Sequence, residues 1–113
     1  MISVNFNYDT PNKTLDVTIH GHAGQAELGQ DIICASASIL AYTLAQVVAT
    51  MYKHGDLETD PIVRLDAGDT QIKCICKDNV LAEALHTYFV VQVGYMLLAH
   101  NYPQYVVFNR VEA

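Results

Sequence analysis

Cys34 and His22 are the two side chains whose type and spacing best suit chemistry. Asp31 is a good helix N-cap residue, and counting from it puts Cys34 at the third helical position. That is within the turn whose amide groups have no partner inside the helix and favour negative charge. Helix starts and neighbouring imidazolium groups are two recognised settings in which a cysteine becomes a thiolate nucleophile. His22 offers the imidazole. It stands twelve residues upstream, where a strand leaves its sheet, and the segment between them leads back to the helix start. A Cys/His nucleophile and base pair needs that closeness.

The run Gly21-His22-Ala23, followed by Gly29-Gln30-Asp31-Ile32-Ile33-Cys34-Ala35 and closed by Ser38, resembles the ribosomal-processing cysteine protease (Prp) family. The family pattern is glycine-histidine-alanine, a short variable loop, glycine, any residue, aspartate, two aliphatics, cysteine, a small-residue stretch and serine. Each of those positions is met. Tyr102-Pro103-Gln104-Tyr105-Val106 is similar to the family's closing strand, whereas Ser36 and Ala37 depart from its usual small residue followed by valine. That departure bears on pocket shape and leaves the chemistry alone. The resemblance implies that Cys34 is the nucleophile and His22 the general base of a cysteine endopeptidase. It implies a homodimer that removes a short N-terminal extension from large-subunit ribosomal protein twenty-seven, cutting after a pair of aromatic residues. Such chemistry requires no cofactor.

Two roles are open to Asp31: capping the helix, or also orienting His22 as a third triad member. Amide groups from about Ile33 to Ala35 are the expected oxyanion donors. Ser38, one turn beyond Cys34 on the same helix face, lies within reach of the site or serves packing as a small residue. Gly21, Gly24 and Gly29 fall in the only glycine-rich stretch, Gly21 to Gln30. It reads as a mobile lid over the cleft whose Leu28 covers an aromatic substrate side chain.

Two other chemistries compete. His20 and His22, at alternate strand positions that point the same way, could join Cys34 or Asp31 in the zinc site of a hydrolase. Against this, His20 falls in the polar phase of its strand and no fourth ligand has motif spacing. The second rival is a non-catalytic protein-binding module that uses the acidic connector Gly55 to Pro61. Cys74-x-Cys76 lacks the two-residue spacing of zinc ribbons and redox pairs, and its alternation puts both thiols on the Ile72 side of a strand, which reads as core.

The elements that position these residues follow from periodicity. Residues 2 to 8 and 13 to 20 alternate as a hairpin around Asp9-Thr10-Pro11-Asn12. After Asp31 comes an uncharged helix that ends near Lys53-His54-Gly55. Ile62 to Leu65 and Thr70 to Cys76 form a second hairpin across Asp66-Ala67-Gly68-Asp69. Asp78-Asn79 caps a second helix whose main apolar stripe is Val80, Leu81, Leu85, Phe89, Val93, Met96 and Leu97, with Val90, Val91, Tyr95 and Leu98 off it. Tyr105 to Val111 is a fifth strand, rich in β-branched and aromatic residues. The order ββαββαβ predicts an α+β, two-layer domain spanning residues 1 to 113, with a mostly antiparallel sheet and both helices on its faces.

Composition sets the outer limits. Of 113 residues 51% are hydrophobic and only 16% charged, which excludes a disordered segment and leaves more apolar surface than a small monomer hides. A homodimer that buries helix surface resolves the excess. With 12 acidic against 6 basic residues and no Lys/Arg cluster, a direct grip on nucleic acid is not expected. Ile32 to Tyr52 is uncharged and long enough to span a bilayer, but Ser36, Ser38, Tyr42, Thr43, Gln46 and Thr50 are spread through it, so no membrane is expected. An odd count of three cysteines and a strand-like first segment predict free thiols in a reducing cytoplasm.

Overall fold

A computed structural model of the chain describes residues 1–22 and 30–113, with side chains in the second part from Ile32 onward. Strands β1 (Ile2–Asp9) and β2 (Thr14–Gly21) are followed by helix α1 (Gln30–Lys53). Then come β3 (Ile62–Asp66), β4 (Asp69–Ile75), a 3-10 turn at Asp78–Val80, helix α2 (Leu81–Asn101) and β5 (Val106–Glu112). The strands form one sheet in the order β3-β4-β2-β1-β5, in which only the β1–β5 pair is parallel. This is the α+β architecture that the sequence predicts.

One face of the sheet carries the core. The register sets Val4 opposite Ile19, Phe6 opposite Val17 and Tyr8 opposite Leu15, then Leu15 opposite Cys74 and Val17 opposite Ile72. All of these side chains are buried. Because strand side chains alternate, the residues between them, such as Asn5, Asp16, Thr18 and Gln71, share the opposite, polar face. Both helices therefore lie on the same face of the sheet, which gives the two-layer domain that the sequence predicts. They also touch each other, with Tyr95 of α2 donating a hydrogen bond to the Ala37 carbonyl of α1 at 2.8 Å.

The stripe that α2 buries is not the expected one. Ala84, Tyr88, Val91, Gln92, Tyr95 and Leu98 face the sheet, while Phe89, Val90, Val93, Met96 and Leu97 are exposed. Counting hydrophobicity alone favours the second set, but three tyrosine hydroxyls find partners inside. Tyr88 donates to the Ile72 carbonyl at 3.1 Å, Tyr95 to Ala37, and Tyr8 to the Gln92 side-chain oxygen at 2.7 Å. A buried phenol with a partner contributes its whole ring to the core without an unpaired polar group. Asp78 and Asn79 belong to the 3-10 turn and do not cap α2, whose N-cap residue is Val80.

Helix α1 buries Ile33, Ala37, Ala41, Leu44, Ala45 and Val48, a stripe at three- and four-residue steps. Both helices are long and apolar enough to cross a bilayer, and each lays one stripe on the sheet and turns the other outward.

Candidate active site

Cys34, Ser38 and Tyr42 follow one another at four-residue steps along α1, and with Ala37 and Ala41 they form one wall of a cleft of about 420 Å³. The residues from Leu65 to Thr70, where β3 turns into β4, form the opposite wall, and Ile2 and Ile19 line it from the sheet. Gly21 and His22 complete the lining. The structure thus brings His22, Cys34 and Ser38 to one concavity, with Cys34 half-buried and Ser38 exposed.

His22 reaches the cleft because β2 stops being a strand one residue earlier. Gly21 has φ +93°, a conformation open to glycine, and a side chain there would collide with the Met1 carbonyl oxygen. Its N–H donates to the Gly68 carbonyl at 3.0 Å, and the Met1 nitrogen donates to the His22 carbonyl. Strict alternation would send His22 to the same face as His20. The turn at Gly21 breaks that phase, and the two histidines part. His20 stays on the polar face with Nδ1 3.4 Å from an Asp69 carboxylate oxygen, which also receives Arg64 Nη2 at 3.0 Å. Among the described residues, no group of three or more His, Cys, Asp or Glu side chains is gathered as metal ligands.

Helix α1 begins at Gln30, so Asp31 lies within its first turn and Cys34 is its fifth residue, not the third. The unpaired amides of that turn run from Gln30 to Ile33. Of the expected oxyanion donors only Ile33 belongs to them, because the amides of Cys34 and Ala35 are taken up inside the helix. Helical side chains lean toward the N-terminus, so a thiol at position 34 points back over those free groups. The Asp31 side chain and the proposed lid residues Gly24, Leu28 and Gly29 lie outside the described residues.

Cys74 and Cys76 are buried, with their sulfurs 3.8 Å apart and Cys74 3.6 Å from the Tyr88 hydroxyl. The Cys74 contact and burial push the Cys76 thiol well up, so it stays protonated. These thiols are core, and among the three cysteines Cys34 is the one that lines the cleft.

The family model Peptidase_Prp, described as cysteine protease Prp, matches residues 1–107. The chain belongs to the Prp cysteine protease family. It is a cysteine protease and hence a hydrolase. Its fold is that of an essential ribosomal processing protease Prp from S. aureus, solved with a covalently linked product peptide, at 25% identity and a TM-score of 0.72 over 97% of this chain and 99% of that one. The same S. aureus protease with a substrate peptide matches at 23% identity and a TM-score of 0.69, with the same coverage. SMU.848 from Streptococcus mutans matches at 22% identity and a TM-score of 0.72, over all of this chain and 96% of the other. No curated protein gives a significant sequence match.

Sequence reading missed Tyr42, Leu65 and Gly68 as cleft residues of this Prp chain. Tyr42 continues the four-residue row from Cys34 and Ser38, a signal that was available. Leu65 and Gly68 enter through the pairing of β4 with β2, which nothing local in the sequence announces.

Proposed function

We propose that this protease is a ribosomal-processing endopeptidase that removes the N-terminal extension of large-subunit ribosomal protein twenty-seven, cutting after an aromatic pair with a Cys34/His22 dyad. The observation that carries this is the meeting of His22 and Cys34 in one cleft, each delivered by a different element. The S. aureus relative, solved with a covalently linked product peptide, supports a covalent route.

In that route the Cys34 thiolate attacks the scissile carbonyl carbon while His22 holds the proton. The carbonyl oxygen becomes an oxyanion, which the unpaired amides of the first turn of α1 stabilise as hydrogen-bond donors. The C–N bond breaks, His22 gives its proton to the leaving amine, and an acyl-thioester remains on Cys34. Water, deprotonated by His22, then attacks the thioester, and the thiol is returned with the carboxylate product. Asp31 serves this as the helix's first-turn acid or as a third member that orients His22, and Ser38 borders the nucleophile one turn on.

Tyr42, Leu65, Ile2 and Ile19 give the cleft an apolar lining suited to aromatic side chains. A net charge of -6 favours encounter with a lysine-rich substrate. The outward apolar residues of both helices support a homodimer, and three free thiols suit a reducing cytoplasm. Incubation with peptides carrying an aromatic pair, beside the Cys34→Ala variant, tests the reading.

A further inference from the structure

We infer that Gly68, in the turn between β3 and β4, is a positioning residue that seats the His22 imidazole. A Cβ at position 68 would fall 2.5 Å from His22 Nε2, 2.8 Å from Cε1 and 3.3 Å from Cδ2. No carbon and ring atom share so little space, so the imidazole occupies the place a side chain would take. The Nε2 end of the ring rests on the turn. The same glycine accepts the Gly21 N–H at 3.0 Å, so the turn grips the chain just before the histidine through its backbone and receives the ring where its own side chain is missing.

The strand register explains why this turn is the one that reaches. β2 pairs with β4 so that His20 lies opposite Asp69, and continuing that ladder by one step brings Gly21 to Gly68. The hairpin from β3 to β4 is thereby part of the active-site wall, and its glycine fixes how far the imidazole stands from α1. The inference rests on His22 being the base.

Gly68 also has φ +72°, so a substitution there strains the backbone as well as displacing the ring, and the two effects need separating. Gly55 supplies the control. It has φ +77°, and a Cβ there meets nothing within 4 Å. Gly68→Ala and Gly55→Ala should lose comparable melting temperature. Only Gly68→Ala should lower kcat, by about 10- to 100-fold with KM little changed, as expected for a displaced catalytic group. It should also slow alkylation of Cys34, alter its pH profile and shift the His22 ring signals in the NMR spectrum.

Wild-type kcat and an unchanged alkylation profile in Gly68→Ala would overturn the inference and leave Gly68 as a turn residue. If Gly68→Ala does not fold, Gly68→Asn carries the same comparison, because asparagine tolerates positive φ while its Cβ still intrudes. His22→Ala is measured alongside. Loss of turnover there with normal kcat in the Gly68 variant sinks this inference alone, whereas wild-type turnover in His22→Ala sinks the dyad and the seat with it.

Discussion

Tyr95 in α2 donates its hydroxyl hydrogen to the carbonyl oxygen of Ala37 at 2.8 Å, latching α2 to α1 three residues past Cys34. Both residues are buried, and burial pushes the Tyr95 phenol well up, which keeps the donor proton in place. The Ala37 carbonyl sits inside α1, where the helix's own ladder also uses it. Tyr95→Phe should therefore cost about 1 kcal/mol, the net value of one buried hydrogen bond. Cleavage at low temperature should stay close to wild type, since α1 keeps its place on the sheet. Thermal unfolding checks this, and an unchanged melting temperature would mean that the latch contributes nothing.

Stability should fall in alkali. Burial raises the Tyr8 phenol from 10.0 to about 12, and burial likewise raises Tyr88 and Tyr95. In the unfolded chain the same phenols ionise near their ordinary value, so the unfolded state loses protons first. The contribution of the three is complete below pH 10 and declines as the pH climbs through 12. Melting curves taken from pH 8 to pH 12 should be flat at first and then drop, with a shallower drop in Tyr8→Phe. A melting temperature constant to pH 12 would contradict the account.

The three cysteines should separate by reactivity. Iodoacetamide should label Cys34 rapidly in the folded protein, and Cys74 and Cys76 only after denaturation, because the latter pair is enclosed in the core and Cys76 is also held protonated. His22→Ala should slow labelling of Cys34. Peptide mapping that finds all three sites labelled at one rate would show that Cys34 has no special setting.

Association is expected through the helices. Ile39 of α1 and Val90 and Leu97 of α2 stand 61%, 57% and 57% exposed on the side turned away from the sheet. Sedimentation at micromolar concentration should give about twice the 12.5 kDa chain mass, and Ile39→Lys combined with Leu97→Lys should return it to the monomer. A native protein that sediments only at 12.5 kDa would refute this.

Much of this was legible along the chain. Alternation located the strands, and Lys53 and Gly55 closed α1 where expected, because these signals act within a few residues. That His22 and Cys34 line one cleft was legible from a strand end and a helix start that the topology joins. What stayed hidden was non-local. Which stripe of α2 faces inward depended on Tyr88 finding the Ile72 carbonyl sixteen residues back, and a hydrophobic count ranks tyrosine below phenylalanine. The separation of His20 from His22 turned on φ at Gly21, and the role of the Asp66–Asp69 turn on which strand β4 pairs with.

If Cys34 is the nucleophile and His22 its base, neither can be lost without loss of cleavage at an aromatic pair. Wild-type protein, Cys34→Ala and His22→Ala are incubated with a peptide that carries phenylalanine pairs, and the products are weighed by mass spectrometry. One cleavage after the aromatic pair is expected with wild-type protein, and loss of turnover by at least about 1,000-fold in both variants, as when a member of a nucleophile and base pair is removed. Cleavage by Cys34→Ala at the wild-type rate would contradict the dyad.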